Sequence, residues 1–145
     1  MRACRKQESG FTLVELMVVI VIIGLAAGAV LLAMPEAGGS LLSEAETFAA
    51  RAKAARDGAI LEARPAALRI GPAGYRLSRR IDGAWRGAAS HAWVEGTEAE
   101  LSGGLNGAVR FDATGLAEPA HIVLRRGDRR VAVRIGADGD VQVQR

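Results

Sequence analysis

The chain has 145 residues, half of them apolar, and a formal net charge of +3 at pH 7. This length allows one membrane segment and one small domain, and it excludes several large globular units. Arg2, Arg5, Lys6 and Glu8 precede the apolar run, so the rest of the chain carries 16 basic against 15 acidic residues. It therefore offers no overall electrostatic attraction to nucleic acid. The single cysteine, Cys4, also precedes that run, which excludes a disulfide or a cysteine metal site beyond it.

An apolar run with a single ionisable side chain follows the basic residues. From Phe11 to Met34 the only ionisable side chain is Glu15. A helix of this length would extend about 36 Å, enough to cross a hydrocarbon core of about 30 Å. Basic residues on the amino side predict a cytoplasmic amino end and an outward carboxyl end. Glu15 is the informative residue, because a carboxylate in a span is costly unless paired. The helix macrodipole, which favours an acid in the first turn, is the alternative explanation.

The next segment, residues 40–63, has the pattern of an amphipathic helix. Ser43 with Glu46 forms a possible capping box at its start, and Pro65 disfavours helical geometry in the residue before it. One helical face is apolar and mostly alanine, which suits close packing against a sheet. That predicted buried stripe consists of Leu41, Ala45, Phe48, Ala52, Ala55 and Ala59.

From Ala66 onward, apolar residues alternate with polar ones between glycine turns, which is typical of antiparallel strands. The predicted strands centre on residues 66–70, 75–77, 109–111, 122–124, 131–135 and 141–143. Asp82-Gly83 indicates a hairpin turn. Residues 86–108 show no clear period and are predicted to be irregular.

Candidate sites in this part of the chain are few. His91 and His121 lack metal-ligand spacing, and Asp138-Gly139-Asp140 is explained by a turn, so no metal or cofactor is predicted. Four arginines flank the turn at Gly127-Asp128 and are predicted to gather there: Arg125, Arg126, Arg129 and Arg130. Such a cluster can bind phosphates, or acidic surfaces of a protein partner. The third explanation is that the arginines place charge on an edge strand and so prevent aggregation through that edge.

The amino-terminal motif is the most specific feature. Gly10-Phe11-Thr12-Leu13-Val14-Glu15 and the apolar residues through Ala27 resemble the prepilin peptidase site of type IV pilins and type II secretion pseudopilins. The resemblance implies cleavage between Gly10 and Phe11 and N-methylation of Phe11. In a filament, the Glu15 carboxylate would pair with the Phe11 amine of a neighbouring subunit, so that two buried charges neutralise each other.

The carboxyl part is similar, more loosely, to H-type minor pseudopilins and their FimT-like relatives. The similarity rests mainly on the spacing of turns and on these residues: Ala55-Arg56, Ala59-Ile60, Pro65, Leu68, Val109-Arg110-Phe111, Gly115, Ile122 and Leu124, Gly127, Val133 and Gly139-Asp140-Val141. The calcium-binding loop of major pseudopilins is not recognisable. The resemblance implies an α+β, type IV pilin-like fold, in which a long N-terminal helix packs on a small antiparallel sheet. The implied divisions are a leader at 1–10, a transmembrane helix at 11–35, an amphipathic helix at 36–65 and a periplasmic β domain at 66–145.

The function that this resemblance implies is structural, not enzymatic: a minor pseudopilin at or near the tip of the type II secretion pseudopilus. Its implied partners are prepilin peptidase, the other minor pseudopilins, the major pseudopilin and the inner-membrane assembly platform. It would be anchored in the inner membrane by a single pass. The alternative is a FimT-like minor type IV pilin that binds DNA for uptake or promotes pilus assembly, with DNA as the less favoured partner.

Overall fold

The computed structural model describes residues 12–33 and 39–144, which belong to two compact units, Met1–Glu36 and Ala37–Arg145. The predicted leader, Gly10, Phe11 and Pro35 lie outside the described residues. The first unit contains helix α1, Leu13–Ala33. Large apolar side chains are exposed from Leu13 to Leu25. Over the described ranges, no helix combines the length and the apolarity that crossing a membrane requires.

The second unit begins with helix α2, Leu41–Leu61. Its first turn is capped by Ser40, whose Oγ accepts a hydrogen bond from the backbone N–H of Ser43 at 3.1 Å. The predicted capping box of Ser43 and Glu46 is therefore wrong, because Ser40 occupies the N-cap three residues earlier. The helix buries every residue of the predicted stripe and one more: Leu41, Ala45, Phe48, Ala49, Ala52, Ala55 and Ala59.

Eight strands follow, and all their pairings are antiparallel. They are β1 (Ala66–Gly71), β2 (Gly74–Ile81), β3 (Ala84–Ala92), β4 (Glu98–Gly103), β5 (Ala108–Phe111), β6 (Ala120–Arg126), β7 (Arg129–Ile135) and β8 (Val141–Gln144). The first sheet has the order β3-β2-β1-β5, and the second has the order β4-β6-β7-β8. The α+β class is confirmed, but the β part comprises two sheets.

Helix α2 packs on strands of both sheets, chiefly β1, β7 and β8. Its alanine-rich face brings the helix close to the strands, and Phe48 fills the space where alanine would leave a void. The Phe48 ring lies edge-on to Tyr75, with centroids 4.9 Å apart, and 5.6 Å from the ring of Trp93. Edge-to-face rings stabilise a core by about 1 kcal/mol beyond their buried area. These rings join α2 to the first sheet and to the loop after β3.

The segment at residues 86–108 was predicted to be irregular, and this prediction is wrong. It contains most of β3 and all of β4, each at the edge of its sheet. Strand β3 has no face of large buried side chains, and β4 alternates over only two partly buried residues, Ala99 and Leu101, so the period of two that marks a half-buried strand is absent or very short. Strand β3 is mostly alanine, glycine and serine, and its pairing with β2 shifts register between Leu77 and Ser78.

Candidate functional site

The first candidate site lies at the start of α1. The Oγ1 of Thr12 accepts a hydrogen bond from the backbone N–H of Glu15 at 3.2 Å, which caps the helix. Glu15 is in the first turn and is exposed. Among the described residues, its carboxylate has no ion-pair partner. The helix macrodipole stabilises a negative charge at this end of α1. Because the Glu15 carboxylate is exposed, it can pair with a positively charged group outside the described residues.

The hairpin of β6 and β7 carries the four arginines that were predicted to gather, and its register divides them. Arg125 lies opposite Arg130, and Arg126 lies opposite Arg129. Because successive side chains of a strand point to opposite faces, the first pair faces outward and the second faces α2. The structure therefore corrects the picture of one four-arginine cluster. A contact role for the outward pair stays a prediction.

Arg126 is held within the domain by a network around Glu44 of α2. Its guanidinium forms an ion pair with Glu44 Oε2, and both side chains are largely buried. Arg126 also donates to Thr97 Oγ1 at 2.9 Å and to the carbonyl of Gly39 at 3.0 Å. Glu44 Oε1 accepts the backbone N–H of Val94 at 2.7 Å. The network joins the start of α2, the β3–β4 loop and the end of β6.

Glu44→Ala is expected to destabilise the domain by about 2 kcal/mol, because it leaves Arg126 as a largely buried cation without its counter-charge. Glu46→Ala, on the exposed side of the same helix, is the matched control and is expected to change stability by less than about 0.5 kcal/mol. Urea unfolding followed by tryptophan fluorescence measures both. Equal midpoints for the two variants would contradict a stabilising role for this network.

Arg56 of α2 joins two turns of the β part. Its Nε donates to the carbonyl of Gly115 and its NH2 group donates to the carbonyl of Asp138, each at 3.1 Å. Gly115 and Gly139 both have positive φ, 86° and 74°. Arg56, Gly115 and Gly139 are among the residues that carry the looser family resemblance, and the structure places them together. We call this set the Arg56 clamp.

Sequence reasoning missed a basic surface on the outward side of the first sheet. It consists of Arg69, Arg76, Arg80, Arg110 and Trp85, and we call it the arginine–tryptophan face. Arg69 lies opposite Arg76, and Arg80 lies opposite Trp85. The guanidinium carbon of Arg110 lies 5.8 Å from the centre of the Trp85 ring. The even spacing of Arg76 and Arg80 was a usable signal, because it places both on one face of a strand.

The histidines lie apart. His91 is on β3, with its ring 5.3 Å from that of Tyr75, whereas His121 is on β6 of the other sheet. Asp138 Oδ1 accepts the backbone N–H of Asp140 at 3.1 Å, as expected in a turn. Within residues 12–33 and 39–144, no three histidine, cysteine or acidic side chains form a group able to hold a metal ion.

Two family models match the chain. The prokaryotic N-terminal methylation motif matches residues 5–31. The model described as type II transport protein GspH matches residues 44–139, about two thirds of the chain and nearly all of the second unit. The chain belongs to the GspH family. GspH proteins are structural pseudopilins, so the H-type resemblance drawn from the sequence is confirmed.

Solved structures share this fold. The minor pseudopilin EpsH from the type 2 secretion system of Vibrio cholerae matches with a TM-score of 0.60 and 16% identity, over 69% of this chain and 92% of that chain. The type IV minor pilin FimU of Pseudomonas aeruginosa matches with a TM-score of 0.61 and 16% identity, over 72% of this chain and 88% of that chain. No curated protein sequence matches the chain. The GspH fold therefore occurs in both a secretion system and a pilus.

Proposed function

We propose that the chain is a minor pseudopilin, a structural subunit at or near the tip of the type II secretion pseudopilus that supports protein export across the outer membrane. The observation that carries this proposal is the combination, in one chain, of an N-terminal methylation motif with a GspH domain. The protein acts by assembly and not by catalysis. Among the described residues, Glu44 and Arg56 tie elements of the domain together.

Processing and membrane anchoring are part of the proposal. Prepilin peptidase cleaves after Gly10, and Phe11 is then methylated on its new amine. Residues 11–35 anchor the protein in the inner membrane by a single pass, with the domain in the periplasm. The proposed segment is longer than the described part of α1. Its exposed apolar side chains support the proposal, because soluble proteins rarely expose so large an apolar surface.

Assembly brings the chain together with the other minor pseudopilins, the major pseudopilin and the inner-membrane platform. Within the filament, the Glu15 carboxylate pairs with the Phe11 amine of a neighbouring subunit. The geometry supports this role in one respect: Glu15 is exposed in the first turn of α1, the turn nearest to the amine that cleavage would create. Burial of either charge alone would cost several kcal/mol, so pairing favours a defined position between subunits.

Glu15→Gln is expected to leave membrane insertion intact, because removal of a charge favours burial, and to reduce incorporation into the pseudopilus. Incorporation is measured by crosslinking in cells whose chromosomal copy carries the variant. Glu46→Gln removes an exposed carboxylate from α2 and is the control, with incorporation like that of the unmodified protein. Full incorporation of Glu15→Gln would exclude Glu15 as the partner of the neighbouring amine.

The second candidate is a FimT-like minor type IV pilin, which binds DNA or promotes pilus assembly. The similarity to FimU favours it, because this pilus protein matches the fold as well as EpsH does. The same crosslinking experiment separates the two candidates. Adducts with secretion subunits support the first, and adducts with pilus subunits support the second.

A further inference from the structure

The arginine–tryptophan face has one sign of charge. At the outward positions of the first sheet, every ionisable side chain is an arginine. Arg69, Arg76 and Arg80 are exposed, and Arg110 is half-buried. Small residues lie between them at outward positions, among them Ser78 and Gly87. Four cations on one sheet repel each other, and a bound counter-charge relieves that repulsion.

The face also has an apolar centre. The Trp85 side chain is 40% exposed, although it is among the largest apolar groups in the domain. Ala67 points outward beside Arg110 and is only 8% exposed, so larger side chains close over it. Tryptophan and arginine are the residue types most enriched at the energetic centres of protein interfaces. An exposed tryptophan surrounded by arginines therefore has the composition of a docking surface.

A cavity at the edge of the face supplies a second observation. It has a volume of about 310 Å³ and is lined by Arg80, Trp85, Arg110, Asp112 and Glu118, among others. Glu118 Oε2 is buried and, among the described residues, has no hydrogen-bond partner. A buried acceptor without a hydrogen-bond partner destabilises the protein that contains it. A donor supplied by another molecule would remove that cost.

The carboxylate of Asp112, which lines the same cavity, already accepts hydrogen bonds from within the protein. Its Oδ1 accepts the hydroxyl of Thr114 at 2.7 Å and the backbone N–H groups of Thr114 and Leu116 at 2.8 and 3.0 Å. The Thr114 hydroxyl bond is the main reason that the pKa of Asp112 lies below its usual value. Asp112 is therefore ionised at neutral pH and keeps a negative charge at the edge of the face.

These charges select the kind of partner. Duplex DNA offers phosphates to the arginines but would be repelled by Asp112 and Glu118, and its backbone has no donor for Glu118 Oε2. A protein surface can present carboxylates to the arginines and a donor to Glu118 at the same time. We propose that the arginine–tryptophan face is the docking surface for an acidic surface on a neighbouring pilin-like subunit. This inference rests on the proposed function, because it names the face by which the subunit meets its neighbour.

The test uses the full chain in cells that assemble the filament. A photo-crosslinking amino acid replaces Ser90, which faces outward opposite Arg76, and in a second strain it replaces Ser102. Ser102 is the matched position, an exposed serine facing outward on the edge strand of the second sheet. We expect Ser90 to yield an adduct with one pilin-like subunit, identified by mass spectrometry at a carboxylate-rich peptide, and Ser102 to yield much less.

Charge reversal then tests the arginines. Arg76→Glu with Arg80→Glu is expected to lower the Ser90 adduct on the order of tenfold, as for interfaces that lose complementary charge. Lys53→Glu with Arg134→Glu makes the same change of charge at exposed positions of α2 and β7, away from the first sheet, and is expected to leave the adduct unchanged. Arginine substitutions at the partner's crosslinked carboxylates should restore the adduct to the Arg76/Arg80 variant.

Three results would overturn the inference: no Ser90 adduct, equal loss in both double variants, or salt-dependent binding of duplex DNA by the detergent-solubilised chain that vanishes in the Arg76/Arg80 variant. Co-purification of the chain with other pilin-like subunits is measured in parallel. If co-purification persists without a Ser90 adduct, the docking face is wrong and the proposed function stands. If the chain associates with no such subunit, the proposed function fails as well.

Discussion

Gly10→Val is expected to leave the ten-residue leader attached to essentially all of the protein. The resemblance to prepilin peptidase sites implies that a small side chain is required next to the scissile bond, and valine adds a branched one. Mass spectrometry of the membrane fraction would then show the precursor, with Cys4 retained. Because the new Phe11 amine would never form, the variant should also be absent from the pseudopilus.

Gly24→Val provides the control for this experiment. It makes the same substitution within α1, where a Cβ on Gly24 meets no atom within 4 Å. We expect this variant to lose the leader as the unmodified protein does. Normal leader removal in Gly10→Val would contradict cleavage after Gly10 and, with it, the N-terminal part of the proposed function.

Gly139→Ala is expected to destabilise the domain by about 3 kcal/mol or more. A φ of +74° costs a non-glycine residue about 1–2 kcal/mol. The added Cβ would also overlap the carbonyl oxygen of Gly115 and lie 2.6 Å from Nε of Arg56. The Arg56 clamp would have to open, with loss of its hydrogen bonds. For a domain of this size, such a change corresponds to a fall in Tm of roughly 10–20 °C.

The matched control is Gly83→Ala. Gly83 has a similar φ of +79°, but a Cβ there meets no atom within 4 Å. Gly83→Ala therefore carries only the cost of a positive φ in a non-glycine residue. We expect a loss of about 1 kcal/mol, measured by thermal unfolding of the full chain in detergent. If the two variants unfold at the same temperature, crowding in the clamp is not what requires glycine at position 139.

Local patterns predicted much of the fold. The buried stripe of α2 follows from apolar residues at helical spacing, and the turn at Asp82-Gly83 follows from residues that tolerate positive φ, observed at 50° and 79°. Edge strand β3 was not predictable in the same way. Its small and exposed side chains carry no periodic signal, and its place in the sheet is set by pairing with β2.

The candidate sites depend more on contacts between distant parts of the chain. Arg126 was assigned to a surface cluster because its partner, Glu44, is 82 residues away in sequence. The arginine–tryptophan face requires Arg110 of β5 and Trp85 of β3 to meet across two intervening strands. Sequence spacing alone gives no information about that register. The N-terminal motif was readable because it is one contiguous stretch of sequence, so its recognition depends on no contact between distant residues.

The network around Glu44 has a mechanical consequence. In the proposed filament, tension on the N-terminal segment would enter the described part of the second unit at Gly39 and Ser40. There the Gly39 carbonyl is held by Arg126, and Glu44, one turn further on, is held by Arg126, Thr97 and Val94. Load is therefore transferred at once to β6 and to the β3–β4 loop, before it reaches the alanine-packed part of α2. Glu44 and Arg126 anchor the domain at the point where tension would otherwise peel the helix from the sheets.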